Sequence, residues 1–242
     1  MDGPKAIKGL TAPDLLRLLE AGHGRGPLDR GLLLLEHASP QADLDLLWSM
    51  SLAERDRRLV ALRRATFGSA MEVTTRCPDC ETALETPMDL RLLSELPAPD
   101  DPVAVHGHGG FRFRLPSTLS LMKALSSPDD PRRALVRGTL ETPDPKELDN
   151  EDIDRLVPEL AAAWEAVDPM AEVRLDFRCV ACETTFHRVF DIAETFYAEV
   201  ETHARRLLLD IHALASAYGW TEEQVLALGP VRRRLYVDMV SA

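Results

Sequence analysis

The cysteines constrain this chain more than any other residue type. All four occur as two C-x-x-C pairs, Cys77/Cys80 and Cys179/Cys182, and none is left over. The flanks repeat as well, because a Glu-Val dipeptide precedes each pair and Glu-Thr follows each second cysteine. A two-residue spacer lets one turn supply two thiolates, and a structural zinc ion takes four thiolates at about 2.3 Å. The sequence therefore predicts one structural Zn²⁺ ion held by Cys77, Cys80, Cys179 and Cys182.

The main argument against a shared metal site is the separation of the pairs, which is 98 residues. Loop-closure entropy grows only logarithmically with length, however, whereas structural zinc contributes about 10–16 kcal/mol of apparent free energy. A redox pair is disfavoured because it would begin a helix, and both pairs lie between β-like runs. The expected cytoplasmic location disfavours disulfides. Two reduced pairs without metal remain an alternative, and we expect His187 to be a surface strand residue rather than a ligand.

Composition and charge limit the classes of partner. The chain is 45% hydrophobic and 28% charged, which is typical of a globular protein. Its formal net charge of −12 repels nucleic-acid phosphates and anionic lipid, and only 5% of its residues are aromatic. The longest aliphatic run, residues 32–35, is far shorter than the roughly 20 residues of a membrane span. We therefore expect a cytoplasmic protein without a signal peptide, and neither nucleic acid nor a membrane as partner.

Hydrophobic periodicity predicts an α+β fold that is mainly helical, with a discontinuous zinc-ribbon-like β unit made of the two cysteine knuckles. Helix-start signals at Thr11, Pro27 and Ser51 predict helices before the first pair, and short β-like runs flank each pair. The predicted parts are an N-terminal helical arm at 1–67, a zinc-knuckle β unit from 68–90 and 171–192, an insertion with a β-hairpin and helices at 91–170, and a C-terminal helical arm at 193–242.

Two groups of polar side chains have a structural as well as a functional interpretation. His106 and His108 flank Gly107 in the turn of a predicted hairpin, 103–106 with 111–115, and two ligands in a turn are too few for a metal site. Five arginines lie on the predicted helix after Ser51, and we expect a solvated face that pairs with nearby acids, with an anionic docking surface as the alternative. These arginines are Arg55, Arg57, Arg58, Arg63 and Arg64.

The C-terminal arm combines one long helix with a short capped segment. Apolar residues at helical spacing predict a seam buried against the N-terminal helices. The seam comprises Phe196, Val200, His203, Leu207, Ile211, Leu214 and Tyr218. After Gly219 come aromatic, aliphatic and basic residues of the kinds that interfaces favour, and the arginines suit an acidic partner. These candidate partner-binding residues are Trp220, Leu226, Leu228, Arg232, Arg233, Arg234 and Tyr236.

Catalytic motifs are missing from the sequence. It contains no Walker A loop, no dinucleotide-binding glycine motif, no H-E-x-x-H and no nucleophile elbow. A four-thiolate zinc site also leaves no coordination position open for water or substrate. We therefore expect neither an enzyme nor a small-molecule substrate. A metalloenzyme would need an open coordination position, and the competing function, a zinc-ribbon adaptor in regulation or transcription, would need a basic surface.

Several segments together resemble a known family in their order and spacing. They are residues 27–30 with the following leucines, 62–68, the first knuckle, 113–117, the second knuckle through 193, and 218–236. The family comprises baseplate proteins of phage-tail-like contractile injection systems, related to the baseplate hub assembly chaperones of myophages. The resemblance implies a non-catalytic protein whose partners are baseplate, hub or spike proteins. It also implies that the protein acts during assembly in the cytoplasm, either as a transient chaperone or as a component retained in the released particle.

The knuckles depart from the family pattern at one position. Family knuckles often have glycine directly after the second cysteine, where this chain has Glu81 and Glu183. A residue other than glycine with positive φ costs about 1 kcal/mol, which is small beside the contribution of zinc. We therefore expect slightly strained knuckles that still bind the metal.

Overall fold

The computed structural model describes residues 7–99, 105–106, 111–142 and 148–241. In this part of the chain the α-helices are α1 Ala12–Ala21, α2 Pro27–Ala38, α3 Leu44–Ser49, α4 Leu52–Phe67, α5 Arg91–Ser94, α6 Thr118–Leu125, α7 Pro131–Thr139, α8 Asn150–Val167, α9 Ile192–Tyr218, α10 Glu222–Leu226 and α11 Pro230–Ser241. The strands are β1 Ala70–Arg76, β2 Ala83–Asp89, β3 Val105–His106, β4 Arg112–Phe113, β5 Leu140–Thr142, β6 Arg174–Arg178 and β7 Thr185–Val189. A 3-10 turn, Pro169–Ala171, precedes β6.

Local capping explains where the first helices begin and end. The Thr11 N–H donates to Asp14 Oδ2 at 2.8 Å, and the Glu54 N–H donates to Ser51 Oγ at 3.1 Å, so α1 and α4 begin where the sequence predicts. The position directly after α1 requires glycine, Gly22, because a Cβ there would lie 1.9 Å from the Tyr197 hydroxyl of α9. Helix α3 was not predicted. It is a short helix whose N-cap is Asp43, and the Asp43 carboxylate accepts the N–H of Asp45.

The strands form three small antiparallel sheets in the described residues. β1 pairs with β2, β6 pairs with β7, and β3, β4 and β5 form a three-stranded sheet. The predicted α+β class, mainly helical with small sheets, is confirmed. The strand β5 was not predicted, because three residues are too few to show a period. The turn at 107–110 with His108, predicted between β3 and β4, lies outside the described residues.

Helix α9 is central to the main hydrophobic core, where it contacts α1, α2, α4, α10 and α11. Its buried row is Phe196, Val200, Ala204, Leu207, Ile211 and Leu214. The predicted seam is therefore confirmed except at two positions. His203 and Tyr218 are exposed, and Ala204 takes the buried place because its small side chain allows close packing. The His203 ring stacks on Phe67, with 4.3 Å between the ring centroids.

Leu207→Ala is expected to lower the free energy of unfolding by about 2–5 kcal/mol, because it leaves a cavity in the core beneath α9. Leu208→Ala, on the partly exposed side of the same helix, is the matched control and should cost much less. Denaturant unfolding of both variants measures the difference. Equal effects would place Leu207 outside the core.

The arginines of α4 correct one expectation. Arg55 and Arg63 are buried, so a solvated face is wrong for these two. The predicted pairing with acids holds, since Arg63 binds Glu199 of α9 and Arg57 binds Asp168 beside the 3-10 turn. Burial follows from the position of α4, which packs between α2, α9 and the 3-10 turn instead of lying at the surface.

The hydrophobic residues form three clusters. The main core is built largely from the helices before β1 and after β7, and a second cluster lies around α7, α8 and β4. A third, small cluster surrounds Cys77 and Cys179. The four-part division of the chain remains a prediction. None of the described helices has the length and apolarity that crossing a membrane requires.

Candidate metal centre

The two cysteine pairs lie at the ends of the β1–β2 and β6–β7 hairpins, and their turns have the same hydrogen bonds. In the first turn the Cys77 N–H donates to Thr82 O at 3.0 Å, and the Glu81 N–H donates to Cys77 O at 3.0 Å. In the second turn the equivalent distances are 2.9 Å, from the Cys179 N–H to Thr184 O, and 3.0 Å, from the Glu183 N–H to Cys179 O. The repeated flanks of the sequence therefore fold into one structural unit used twice.

Glu81 and Glu183 both adopt the left-handed conformation, with φ of 58° and 60°. This is the positive φ that the sequence predicts after the second cysteine of each knuckle. The conformation brings the glutamate N–H back to the carbonyl of the first cysteine and so closes the turn. Each knuckle therefore carries a small strain that glycine would relieve.

Glu81→Gly is expected to raise the free energy of unfolding by about 0.5–1 kcal/mol, because glycine adopts positive φ without a Cβ clash. Glu85→Gly is the control, since it removes an exposed glutamate from β2, where glycine weakens the strand. Thermal unfolding of the zinc-loaded protein distinguishes the two. Destabilisation by Glu81→Gly would show that the knuckle is not strained.

The four sulfur atoms converge between the hairpins. All four Sγ atoms lie within 4.8 Å of one another, and the Cys77–Cys182 and Cys80–Cys179 Sγ pairs are each 3.5 Å apart. A tetrahedron with 2.3 Å from metal to sulfur has an edge of about 3.8 Å. A disulfide requires about 2.05 Å, and the structure has four free cysteines. Four thiols at these distances match the first coordination shell of a tetrahedral zinc ion.

Threonine contacts favour the thiolate form at the outer cysteines, Cys80 and Cys182. Cys80 Sγ lies 3.2 Å from Thr82 Oγ1, and hydrogen bonds from the Thr82 side chain and backbone lower the pKa of Cys80 to about 6. A hydrogen bond from the Thr184 backbone N–H lowers the pKa of Cys182, since the Thr184 hydroxyl proton goes to Asp79. Since metal ligands must be deprotonated thiolates, these contacts prepare the outer cysteines for binding.

The inner cysteines, Cys77 and Cys179, are buried, whereas the outer two are exposed. The Cys80 backbone N–H lowers the pKa of Cys77, but burial and the neighbouring thiols raise it by more, to about 11. Metal binding at neutral pH therefore displaces a proton from Cys77. Leu84 and Phe186 cover the inner side of the cluster, which limits the access of water.

Two hydrogen bonds join the hairpins beside the cysteines. The Thr184 hydroxyl donates to Asp79 Oδ2 at 2.6 Å, and the Arg188 guanidinium donates to Arg76 O at 3.3 Å. Sequence reasoning did not identify these links, because no local pattern pairs residues more than 100 positions apart. They help to set the relative position of the two knuckles.

The arrangement favours a shared four-cysteine metal site over a site with a histidine ligand and over a redox pair. His187 is exposed on β7, as predicted, and does not belong to the cluster. Each pair lies in a turn between two strands, whereas a redox pair would begin a helix. Among the residues that the structure describes, these four cysteines form the group of potential ligands whose atoms lie close enough together to hold one metal ion. The identity of the bound metal remains a prediction.

The seven candidate partner-binding residues differ in burial and in contacts. Trp220, Leu226, Leu228 and Tyr236 are half-buried and pack against the main core, and the Trp220 and Tyr236 rings meet edge to face at 5.0 Å. Arg233 pairs with Asp210, while Arg232 and Arg234 are exposed. The anchor of this segment is Val225, which is fully buried and which sequence reasoning did not single out. The role of all seven in partner binding remains a prediction.

Comparison with known proteins gives one family match. A family model described as T4 bacteriophage base plate protein matches residues 34–197, about two thirds of the chain. The matched range begins within α2, contains both knuckles and ends within α9. Searches of curated proteins and of solved structures gave no match.

Proposed function

The chain belongs to the family of T4 bacteriophage base plate proteins, and from this premise we propose that it is a non-catalytic component of the baseplate of a phage-tail-like contractile injection system. The observation that carries the proposal is the family match, which includes both hairpins and the helices that support them. Membership indicates a structural role in a phage-type baseplate and contacts with other baseplate components. It also favours this role over a zinc-ribbon adaptor in transcription or regulation.

The zinc ion would act as a cross-link in this role. Cys77 and Cys80 would hold it from one hairpin, and Cys179 and Cys182 from the other. Each hairpin alone is a two-stranded sheet, which is marginally stable in water. A four-thiolate site leaves no position for water or substrate, so the metal would supply stability and no chemistry.

The hairpins are also fixed to the helical core at their open ends. Arg63 Nη1 donates to Gly68 O at 2.5 Å and to Ala70 O at 2.8 Å, where α4 leads into β1. Phe190, directly after β7, is buried at the start of α9. A zinc-bound β unit anchored on helices α4 and α9 would form a rigid body, as a component of a large assembly requires.

Within the baseplate, the chain would act either as an assembly chaperone or as a permanent subunit. As a relative of the hub assembly chaperones, the chain would bind hub or spike proteins in the cytoplasm and leave before the particle is complete. As a subunit, it would remain in the released particle. Both forms require an adhesive surface and no substrate, so the presence of the chain in finished particles is what separates them.

Affinity purification of the tagged full-length chain from the native producer tests the proposal. Mass spectrometry of the lysate complexes and of purified particles should find baseplate, hub or spike proteins with the chain. If they are recovered in lysate while particles lack the chain, it is a chaperone, and stoichiometric presence in particles makes it a subunit. Recovery of RNA polymerase or a metabolic enzyme instead, or salt-dependent binding to DNA, would contradict the proposal.

A further inference from the structure

The outer face of α11 carries apolar side chains that no described part of the chain covers. Val231, Leu235 and Met239 are 75%, 55% and 66% exposed, and their spacing of four residues places them in one row along the helix. The opposite face packs against the main core through Tyr236, Val237 and Val240. A helix with apolar residues on two faces is typical of one that is covered on both sides.

A groove lies beside another side of α11. It has a volume of about 460 Å³ and is lined by α1, α9 and α11, with Leu209, Arg206, Arg233 and Arg234 among its residues. Leu209 is 68% exposed. The groove therefore borders α11 on the side of Arg233 and Arg234, while Val231, Leu235 and Met239 lie outside it.

The charge of this region is opposite to that of the whole protein. Residues 203–212 and 230–241 contain five arginines and two aspartates, in a chain whose net charge is −12. Arg205 pairs with Glu201, Arg233 with Asp210 and Arg234 with Asp238. Arg206 and Arg232 have no ion pair with any described residue, so their charges are available to a partner.

We propose that the outer row of α11, Val231, Leu235 and Met239, docks an amphipathic helix of another baseplate protein. That helix would present apolar residues every three to four positions, flanked by aspartate or glutamate. The inference rests on the proposed baseplate role, which supplies the neighbouring proteins. The 12 residues of α11 are about 18 Å long, which accommodates about three turns of a partner helix.

The charges favour a different protein over a second copy of this chain. A two-fold contact between identical surfaces places the same residues on both sides. Arg232 of each copy would then approach the arginines beside the row of the other copy. An acidic partner instead neutralises these charges, and attraction between the two surfaces accelerates association.

Four of the predicted partner-binding residues receive a different role in this proposal. The Trp220 and Tyr236 rings contact each other behind α11, and Tyr218 stacks on Trp220 with 4.8 Å between the ring centroids. With Leu226 and Leu228 these aromatic residues hold α11 in position. Arg232 and Arg234 remain on the docking face.

Charge substitution at the centre of the row tests the proposal. Leu235→Glu in the tagged full-length chain should reduce the recovery of baseplate proteins from the native producer about tenfold or more. Leu125→Glu, at an apolar residue of α6 that is 59% exposed, is the matched control and should recover them as the wild type does. Unchanged zinc content and unfolding temperature establish that both variants fold. If Leu235→Glu does not fold, Arg232→Glu takes its place, with a loss of recovery expected again.

The outcomes separate this inference from the proposed function. If the wild type recovers no baseplate protein, the proposed function fails. If the wild type and the docking-face variant recover equal amounts, the function stands and the docking surface is wrong. Photo-cross-linking from position 235 identifies the occupant directly. A cross-link to an acidic amphipathic helix is expected, and a cross-link to a second copy of this chain, or to a basic segment, would overturn the proposal.

Discussion

Replacing Cys182 with serine is expected to remove the metal and to unfold both hairpins. Structural zinc contributes about 10–16 kcal/mol of apparent free energy, and loss of one thiolate from four leaves an incomplete site. The small cluster around Cys77 and Cys179 cannot compensate, because its apolar side chains are few. Zinc should fall from one ion per chain to none, and amide exchange in β1, β2, β6 and β7 should become fast.

Val180→Ser is the matched control, because this exposed residue lies in the spacer of the same knuckle and offers no ligand. It should retain one zinc ion and normal protection of the strands. Most of the helical signal should survive in Cys182→Ser, since the main core is built largely from helices outside the hairpins. A serine variant with one tightly bound zinc ion and protected strands would contradict the four-thiolate site.

Arg63→Ala should lower the free energy of unfolding by about 2–3 kcal/mol, the order expected when hydrogen bonds to a charged group are lost. The side chain is 3% exposed, and it donates to both carboxylate oxygens of Glu199, at 2.9 Å and 2.6 Å, as well as to two carbonyls between α4 and β1. Its removal leaves Glu199, whose side chain is 26% exposed, without its ion-pair partner, and the two carbonyls must turn to water instead. It also disconnects the first hairpin from α9, so both the core and the metal centre are affected.

The surface pair of Arg58 with Glu54 on the same helix supplies the control. Both side chains are about 40% exposed, and Arg58→Ala should cost about 0.3–0.5 kcal/mol. Denaturant unfolding measures both values, and zinc affinity measured in parallel should weaken in Arg63→Ala alone. Similar small costs for the two variants would mean that Arg63 does not hold the hairpin to the core.

Local patterns predicted the knuckles well. The C-x-x-C spacing located both turns, and the residue after each second cysteine has the positive φ that the family resemblance implies. Gly219 marked the end of α9, where it adopts the left-handed conformation that closes a helix. These features depend on a few neighbouring residues, and for that reason the sequence alone was sufficient.

Features that depend on residues far apart in the chain could not be predicted from local sequence patterns. The burial of Arg63 depends on Glu199, 136 positions away, and the link from Thr184 to Asp79 joins two separate knuckles. The place of Ala204 in the buried row depends on how closely neighbouring helices approach α9. The four-residue spacing of Val231, Leu235 and Met239 indicates that they share one face of a helix. Only the packing of α11 shows which of its two apolar faces remains exposed.

The most direct test of the account is X-ray absorption at the zinc edge on the purified full-length chain, with the zinc content measured on the same sample. The account predicts one zinc ion per chain with four sulfur ligands at about 2.3 Å and no nitrogen or oxygen ligand. Protein without zinc whose four native thiols react freely would contradict it, as would a zinc ion with a nitrogen or oxygen ligand in place of any cysteine.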